Sequence, residues 1–392
     1  MTAPAANPGV ILPGETLGVM GGGQLGRMFV HAAQQMGYFT AVLDPDAASP
    51  AGLVSHHHIH TDYLDMDGLQ RLANVSAAIT TEFENVPADA LATLASMRPV
   101  APGAEAVAIA QDRAKEKAHF VKCGVACAPY AAIESPEDLA SVTDDLLPGV
   151  LKTSRMGYDG KGQVRVADRA QLQQGWDDLG GVACVLEKLM PLVAECSVIV
   201  ARGRDGAMVN FPPQLNLHRG GILAVTQVID GSLQEQQARD AVASARAIAQ
   251  GIDYVGVLCV EFFLLGDGSL VVNEMAPRPH NSGHYSIDAC DVSQFDLQVR
   301  AMTGLPLVQP RQHSPTIMLN LLGDLWFLHG ETEVTPPWDK VLALAGMHLH
   351  LYGKTSARKG RKMGHLTITG PTAADVRTSA LHAAALLGIE TF

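Results

Sequence analysis

Three groups of residues carry types and spacings suited to chemistry. The first is the loop Gly157-Tyr158-Asp159-Gly160-Lys161-Gly162-Gln163, with three glycines in seven residues. Glycine accepts positive φ and lets backbone N–H groups come close to a ligand, which is how loops cradle phosphate. Lys152 precedes the loop and Lys161 lies inside it, so positive charge flanks a bound polyphosphate. The flanking runs Gly149–Lys152 and Val164–Val166 read as strands, making the loop the turn of a strand-loop-strand unit. A plain Gly-rich hairpin with solvated lysines has the same signature, and this stretch alone does not separate the two.

The second group is a pair of glutamates. Val257–Leu265 and Leu270–Glu274 are apolar runs joined by Gly266-Asp267-Gly268-Ser269. A two-residue Asp-Gly turn predicts a hairpin with 266 opposite 269, which sets Glu261 directly opposite Glu274 on a face shared with Phe263 and Val272. Like charges opposed on a sheet are destabilising. At ~5 Å and an effective dielectric near 20 the repulsion is about 3 kcal/mol. A raised pKa on one member relieves it. So does a divalent cation, for which Asn273 adds another hard oxygen beside Glu274. A register slip of one would separate the pair and leave two solvated edge glutamates.

The third group is cationic. Met275–Tyr285 is a polar loop directly after the second glutamate, and its Arg278 and His280 suit an oxyanion. Lys354, Arg358, Lys359, Arg361 and Lys362 form a second basic stretch, which in an acidic chain is either a solubilising loop or an anion site. His348-Leu349-His350-Leu351-Tyr352 alternates as a strand and delivers Lys354 at its end.

The elements that position these groups follow the chain. Thr16–Met20 reads as a strand running into Gly21-Gly22-Gly23-Gln24-Leu25-Gly26, then a helix from about Arg27 to Met36, then a strand ending at Asp44. This opens a Rossmann-like βαβ unit with an acidic residue at the spacing used for a ribose hydroxyl, so a nicotinamide-dependent dehydrogenase is a serious rival. His56, His57, His58 and His60 read as a solvated loop, because adjacent histidines cannot all point at one ion. A strand over 77–81 ends in Glu82-Phe83-Glu84, putting carboxylates at the strand end where α/β proteins bind ligands. Asp112–Cys123 reads as a helix carrying Arg113, Lys115 and Lys117, and new material begins at Pro129. A strand over 182–186 runs into Glu187-Lys188-Leu189-Met190, which suits adenine held by backbone bonds and equally suits an interdomain linker. An Ala-rich helix spans 238–250.

Composition bounds the reading. The chain has 392 residues, 47% of them apolar, and a formal charge of −12. That length supports two or three domains, and the charge argues against a broad nucleic-acid surface. Six cysteines without a C-x-x-C pair fit a reducing, cytoplasmic setting. No run is long and apolar enough for a membrane span, since Glu261 interrupts the most apolar stretch. Residues 1–13 are rich in Pro and Ala and lack a basic region followed by an apolar core, so a loose tail is expected rather than a signal peptide.

Together the motifs resemble the ATP-grasp ligases, and among them the N5-carboxyaminoimidazole ribonucleotide synthetases. The match is carried by residues 21–28 (GGGQLGRM), 81–87 (TEFENVP), 111–117 (QDRAKEK), 151–163 (LKTSRMGYDGKGQ), 216–223 (NLHRGGIL), 273–285 (NEMAPRPHNSGHY) and 358–366 (RKGRKMGHL). These run in order through nearly the whole chain. The resemblance implies an α/β fold, α+β in the ATP-grasp part: a Rossmann-like domain over 14–122, a lid over 123–200 and a catalytic domain over 201–392 ending in a small β subdomain.

For ATP the resemblance implies Arg113, Lys152, Gly157, Tyr158, Asp159, Gly160, Lys161, Gly162, Gln163, Glu187, Lys188, Leu189, Met190, Glu195, His218, Asn273 and Glu274. It implies Mg²⁺, or Mn²⁺, on Glu261 and Glu274. It implies the ribonucleotide on Gln24, Leu25, Glu82, Tyr158, Asp159, Lys354 and Arg361. Bicarbonate, or the carboxyphosphate made from it, falls to Arg278 and His280 with Lys354. A homodimer is also carried over from the family. The implied reaction is ATP- and bicarbonate-dependent carboxylation of 5-aminoimidazole ribonucleotide in purine biosynthesis. Lys359 stands where the family commonly has proline, so the basic loop is less rigid here. Other ATP-grasp carboxylases or ligases remain alternatives, against which the NSGHY and RKGRK stretches discriminate.

Overall fold

The computed structural model describes residues 9–155, 157, 162–328 and 330–392. Its strands fall into three sheets in chain order. β1 (Thr16–Met20), β2 (Phe39–Asp44), β3 (His57–His60) and β4 (Ala78–Thr81) form a four-stranded sheet in the order β3-β2-β1-β4. All its pairs are parallel. The strands are apolar because both faces are covered. The helix Gln24–Gln35 packs Met28, Phe29 and Val30 on one side, and Leu69, Leu72 and Leu91 belong to a second cluster with Leu43 and Ile79. His57–His60, expected as a solvated loop, is therefore the edge strand. Ile59 is buried, which is what docks the strand on β2.

β5 (Tyr130–Ile133), β6 (Gly149–Thr153), β7 (Gln163–Val166) and β8 (Cys184–Lys188) make a small antiparallel sheet in the order β5-β8-β6-β7. It has its own core around Leu139, Leu151, Leu172, Trp176 and Leu186. The Gly-rich loop joins β6 to β7; residues 158–161 lie outside the described residues.

The remaining strands build one sheet of nine. They are β9 (Leu192–Arg202), β10 (Met208–Asn210), β11 (Gln214–Arg219), β12 (Ile222–Val228), β13 (Gly256–Leu265), β14 (Leu270–Ala276), β15 (Thr316–Leu322), β16 (Met347–Leu351) and β17 (Lys362–Thr369). The order is β14-β13-β9-β11-β12-β15-β17-β16, with β10 on β9. The boundary expected at residue 200 thus falls inside β9. Its buried face, with Val198 and Val200, packs with Leu258 and Val260 in the core of the large sheet. The break between the two sheets comes earlier, at Leu189–Pro191.

Residues 9–13, expected to be loose, are tied down. Ile11 N donates to the Thr303 carbonyl at 2.8 Å, and the Tyr38 hydroxyl donates to the Ile11 carbonyl at 2.8 Å. Ile11 also packs against the first core cluster, burial that a free tail would forgo. No described helix is long and apolar enough to cross a membrane.

One backbone approach bears on the basic stretch. Gly323 N donates to the Arg361 carbonyl at 2.8 Å, and a methyl added at Gly323 would collide with the Arg358 carbonyl oxygen. Gly323→Ala should therefore destabilise the fold by about 1–3 kcal/mol, the usual cost of overpacking against backbone. In thermal unfolding that is a Tm lower by several degrees. An unchanged Tm would show that the loop yields without cost.

Candidate active site

The glutamate hairpin forms with Glu261 opposite Glu274, but by a different route from the one expected. The turn has three residues, 266–268, closed by Leu265 N to Ser269 O at 2.9 Å, with Gly268 at φ +87°. Near the turn the register is Leu264 with Leu270 and Phe262 with Val272. A β-bulge at Asn273 then adds one residue to β14 and brings Glu274 opposite Glu261. Val272 consequently lies in the core with Phe262, not on the carboxylate face, while Glu261 and Phe263 face a cavity. The bulge aims Asn273 into that cavity too, and its buried Oδ1 has no hydrogen-bond partner.

Two imidazoles and a guanidinium face the opposed carboxylates. His280 Nε2 lies 2.9 Å from Glu261 Oε1, His218 Nε2 is 4.0 Å from its other oxygen, and Arg113 Nη1 is 3.2 Å from Glu274 Oε2. Burial alone would push the Glu261 carboxyl up; His280 and His218 outweigh it and hold the group well below the usual carboxylate range. The His280 ring is fixed from behind. Ser282 N donates to Nδ1 at 3.3 Å, which leaves the proton on Nε2 for Glu261. The Ser282 hydroxyl is 2.9 Å from the same Nδ1 and accepts from Ser197 Oγ at 2.8 Å. Asn216 in turn donates to Ser197 at 2.8 Å. Gln294 clamps the loop by accepting from His280 N and donating to His280 O, at 2.8 and 2.7 Å.

The cavity measures about 680 Å³ and lies between the small sheet and the hairpin. Arg113, Lys152, Gly157, Gln163, Glu187, Lys188, Leu189, Met190, Glu195, His218, Glu261, Asn273 and Glu274 all line it. Gly162 ends the loop at φ +69°, and its carbonyl accepts from Thr153 N. Glu187 is buried between two lysines: Lys152 at 3.1 Å and Lys117 at 3.3 Å. Burial pushes the Lys152 ammonium down, against the opposing pull of Glu187. Glu195 pairs with His218 Nδ1 at 3.0 Å. The amides of Lys188 and Leu189 already donate to the Pro129 and Pro148 carbonyls, each at 2.9 Å.

A second cavity of about 500 Å³ opens at the C-terminal end of the parallel sheet. Gln24, Leu25, Glu82, Lys354 and Arg361 line it. Lys354 Nζ donates to Gln24 Oε1 at 2.7 Å and to the Lys362 carbonyl at 2.5 Å. Burial, with Arg361 close by, pushes the Lys354 ammonium down to about 8. Most glycine amides of the opening turn are already taken, unlike those of a dinucleotide site. Gly22 N donates to Asp44 Oδ2 at 2.6 Å, and Gly23 N and Gly26 N donate to Glu82 at 3.0 and 3.1 Å. Asp44, the expected ribose ligand of the dehydrogenase reading, also takes the Tyr63 hydroxyl at 2.8 Å. Burial raises Glu82 above its ordinary value.

The two cavities share a wall of Glu84, Asn85, Arg278, His280, Asn281 and Lys362. Arg278 is ion-paired through Nε to Glu84, and its Nη1 donates to the Pro279 carbonyl at 3.1 Å. Burial pushes the Glu84 carboxyl up, but the guanidinium outweighs it and holds the group at about 2.

Sequence reasoning placed Glu84 among the carboxylates at a strand end and Lys117 on a helix but gave neither a role, and it did not name Glu116. Arg113, Glu116 and Lys117 stand at i, i+3 and i+4 on the helix Arg113–Lys122, hence on one face, and that spacing was the available signal. Lys117 is fully buried and also donates to the Asn273 carbonyl at 2.9 Å. Glu116 accepts from Met275 N at 2.7 Å; burial, then the nearby Glu274, pushes its carboxyl up to about 8. Of the loop residues, Tyr158, Asp159, Gly160 and Lys161 lie outside the described residues.

Known proteins match this architecture throughout. Family models match as a ribonucleotide synthetase preATP-grasp domain over 14–111, an ATP-grasp domain over 118–295 and a phosphoribosylaminoimidazole carboxylase C-terminal domain over 316–379. The N5-carboxyaminoimidazole ribonucleotide synthase of Brucella melitensis is 42% identical over 362 residues, 92% of this chain and 97% of that protein. Its Bacillus subtilis counterpart is 41% identical over 359 residues, 91% and 92% of the two chains. The structure of the Staphylococcus aureus N5-carboxyaminoimidazole synthetase complexed with ADP superposes with a TM-score of 0.88 at 37% identity, covering 98% of this chain and all (100%) of that one. The Aspergillus clavatus enzyme in complex with ADP and 5-aminoimidazole ribonucleotide gives 0.86 at 30% identity, covering 95% and 98%. Similarity of this degree over nearly the full length shows that the chain belongs to the N5-carboxyaminoimidazole ribonucleotide synthase family of ATP-grasp enzymes.

Proposed function

We propose that the chain carboxylates the exocyclic amine of 5-aminoimidazole ribonucleotide, using ATP and bicarbonate, in the cytoplasm and as a homodimer. The observation that carries the reading is the shared wall: a nucleotide-sized cavity and a second, basic cavity meet at Arg278 and His280. A short-lived intermediate made in one is then within reach of an acceptor held in the other.

Each cavity has the charge its ligand needs. Lys152 and Arg113 suit the phosphates of ATP, and family resemblance adds Gly157–Gln163 to them. Glu187 to Met190 border the space left for adenine, and Glu195 and His218 border the ribose end. Glu261, Glu274 and Asn273 offer two carboxylates and an unpartnered amide oxygen, a hard donor set that fits Mg²⁺. Once bound there, the ion would neutralise phosphate oxygens and stabilise charge on the transferring group. Lys354 and Arg361, with Gln24, Leu25 and Glu82, suit the ribonucleotide; Tyr158 and Asp159 join them by family resemblance.

A bicarbonate oxygen attacks the γ-phosphorus of ATP, and ADP leaves. Arg278 and His280 hold the resulting carboxyphosphate by charge-assisted hydrogen bonds. Its C–O bond breaks to give CO₂ and phosphate. The substrate amine attacks CO₂ and loses a proton. Glu84 keeps Arg278 oriented at the junction and, held at about 2, stays charged throughout. Closure of the small sheet over the site would keep water from the intermediate.

The test is ADP release from Mg-ATP and bicarbonate, with and without 5-aminoimidazole ribonucleotide. Strong stimulation by the ribonucleotide, with ¹⁴C from bicarbonate entering an acid-labile product, is expected. ATP turnover indifferent to the ribonucleotide would assign the acceptor elsewhere.

Lys354→Ala should raise the KM for the ribonucleotide about 10–100-fold, the loss of one charge-assisted hydrogen bond. The KM for ATP should stay within about twofold. Equal loss of both would sink the assignment. The ammonium is charged below its pKa, so kcat/KM for the ribonucleotide should fall as pH rises through about 8. Lys354→Arg should carry that fall to higher pH.

A further inference from the structure

Outside both cavities, four chemistry-bearing side chains meet where the short helix Ser286–Ala289 packs on β17. His348 and His350 alternate on β16 and so share a face. His365 lies directly opposite His350 on β17. Asp288, from the helix, completes the group. Its Oδ2 is 2.8 Å from His350 Nε2, and its Oδ1 is 3.6 Å from His348 Nδ1. One donor atom each from Asp288, His350 and His365 lies within 4.8 Å of the others.

In two of the three imidazoles one ring nitrogen is held by a hydroxyl. Thr369 Oγ1 is 2.9 Å from His348 Nε2, which leaves Nδ1 on the Asp288 side. The Tyr352 hydroxyl is 3.0 Å from His365 Nδ1, which leaves Nε2. That Nε2 is fully buried and has no hydrogen-bond partner. Metal-ligating histidines are characteristically anchored in this way through their second nitrogen.

We propose that Asp288, His348, His350 and His365 form a binding site for a divalent ion of the zinc class, separate from the Mg²⁺ carboxylates. Three imidazoles and a carboxylate suit Zn²⁺ and are a poor set for Mg²⁺, which prefers oxygen. The His350 and His365 rings lie nearly parallel, 13° apart with centroids at 4.5 Å, so as they stand they do not point at one ion. His350 must turn, and its side chain, 29% exposed, has the room. The exposed edge, with His348 at 38%, also gives the ion its entry. The helix Ser286–Ala289 follows the loop carrying His280, and β16 leads to Lys354. A bound ion would therefore staple the segment that carries His280 of the shared wall to the one that leads to Lys354 of the second cavity, adding stability without joining the chemistry.

The experiment uses the full-length protein, stripped with a chelator and titrated with Zn²⁺ in excess Mg²⁺ and ADP, which occupy the active-site carboxylates. The wild type should bind Zn²⁺ and show a raised Tm. His348→Ala/His350→Ala should bind at least about tenfold more weakly while keeping ribonucleotide-stimulated ATP turnover. Asp288→Asn, which preserves shape, should give the same loss should the double variant fold poorly. Co²⁺ as an optical probe should lose its ligand-field absorption in both. Absence of Zn²⁺ binding overturns the proposal. So does binding unaffected by these variants, as ions caught by His56–His60 would give.

Discussion

Glu261 and Glu274 face one another across two hydrogen-bonded strands, an arrangement a sheet resists unless something compensates it. Most of the surrounding structure can be understood as that compensation. His280 and His218 attend Glu261 and Arg113 attends Glu274. Each of these groups is itself held by a second one. Glu195 pairs with His218, Ser282 fixes the His280 ring, and the Arg113 amide donates to the Ser154 carbonyl just past β6. The protein keeps a concentrated negative charge folded by surrounding it with groups that hydrogen-bond or neutralise it.

The same charges join parts of the chain that are distant in sequence. Lys117 sits on the helix Arg113–Lys122, pairs with Glu187 on β8 and donates to Asn273 on β14. Arg278 follows β14 and pairs with Glu84, which follows β4. Lys354 follows β16 and reaches Gln24 behind β1. No one of the three sheets contains the site. A buried ion pair whose members come from different sheets costs desolvation if either sheet moves away, so these pairs favour one relative arrangement even where their net contribution to stability is small.

The sequence made legible whatever depends on local pattern. The parallel opening unit, the small sheet around the Gly-rich loop and the apolar hairpin all follow from periodicity and turn chemistry. The opposed glutamates emerged in the right pairing although the turn was taken one residue too short. The bulge at Asn273 restores the register that the longer turn shifts. Bulges leave little trace in one sequence, because the extra residue needs no special type. Lys117 was passed over for a related reason. A lysine on a helix is ordinarily solvated, and only the tertiary placement of Glu187 and the Asn273 carbonyl makes burying it tolerable. Loop residues 158–161, on which much of the sequence reading turned, lie outside the described residues.

The opening Gly-rich turn shows why such a fingerprint is weak evidence for a dinucleotide. Its use in cofactor binding depends on amides that point at nothing until pyrophosphate arrives. Here Asp44 and Glu82, from the ends of β2 and β4, take the amides of Gly22, Gly23 and Gly26. Two carboxylates at that helix end would also repel a pyrophosphate brought against it. The glycines are needed for close packing instead. A methyl at Gly22 would meet Ser49 and Asp44, and one at Gly23 would meet the Glu82 carboxylate. The turn between these glycines still presents Gln24 to the cavity, and Lys354 reaches it from the far end of the chain. A strand-turn-helix unit often used for cofactors thus forms one wall of the second cavity, with the positive charge supplied from the C-terminal part of the chain.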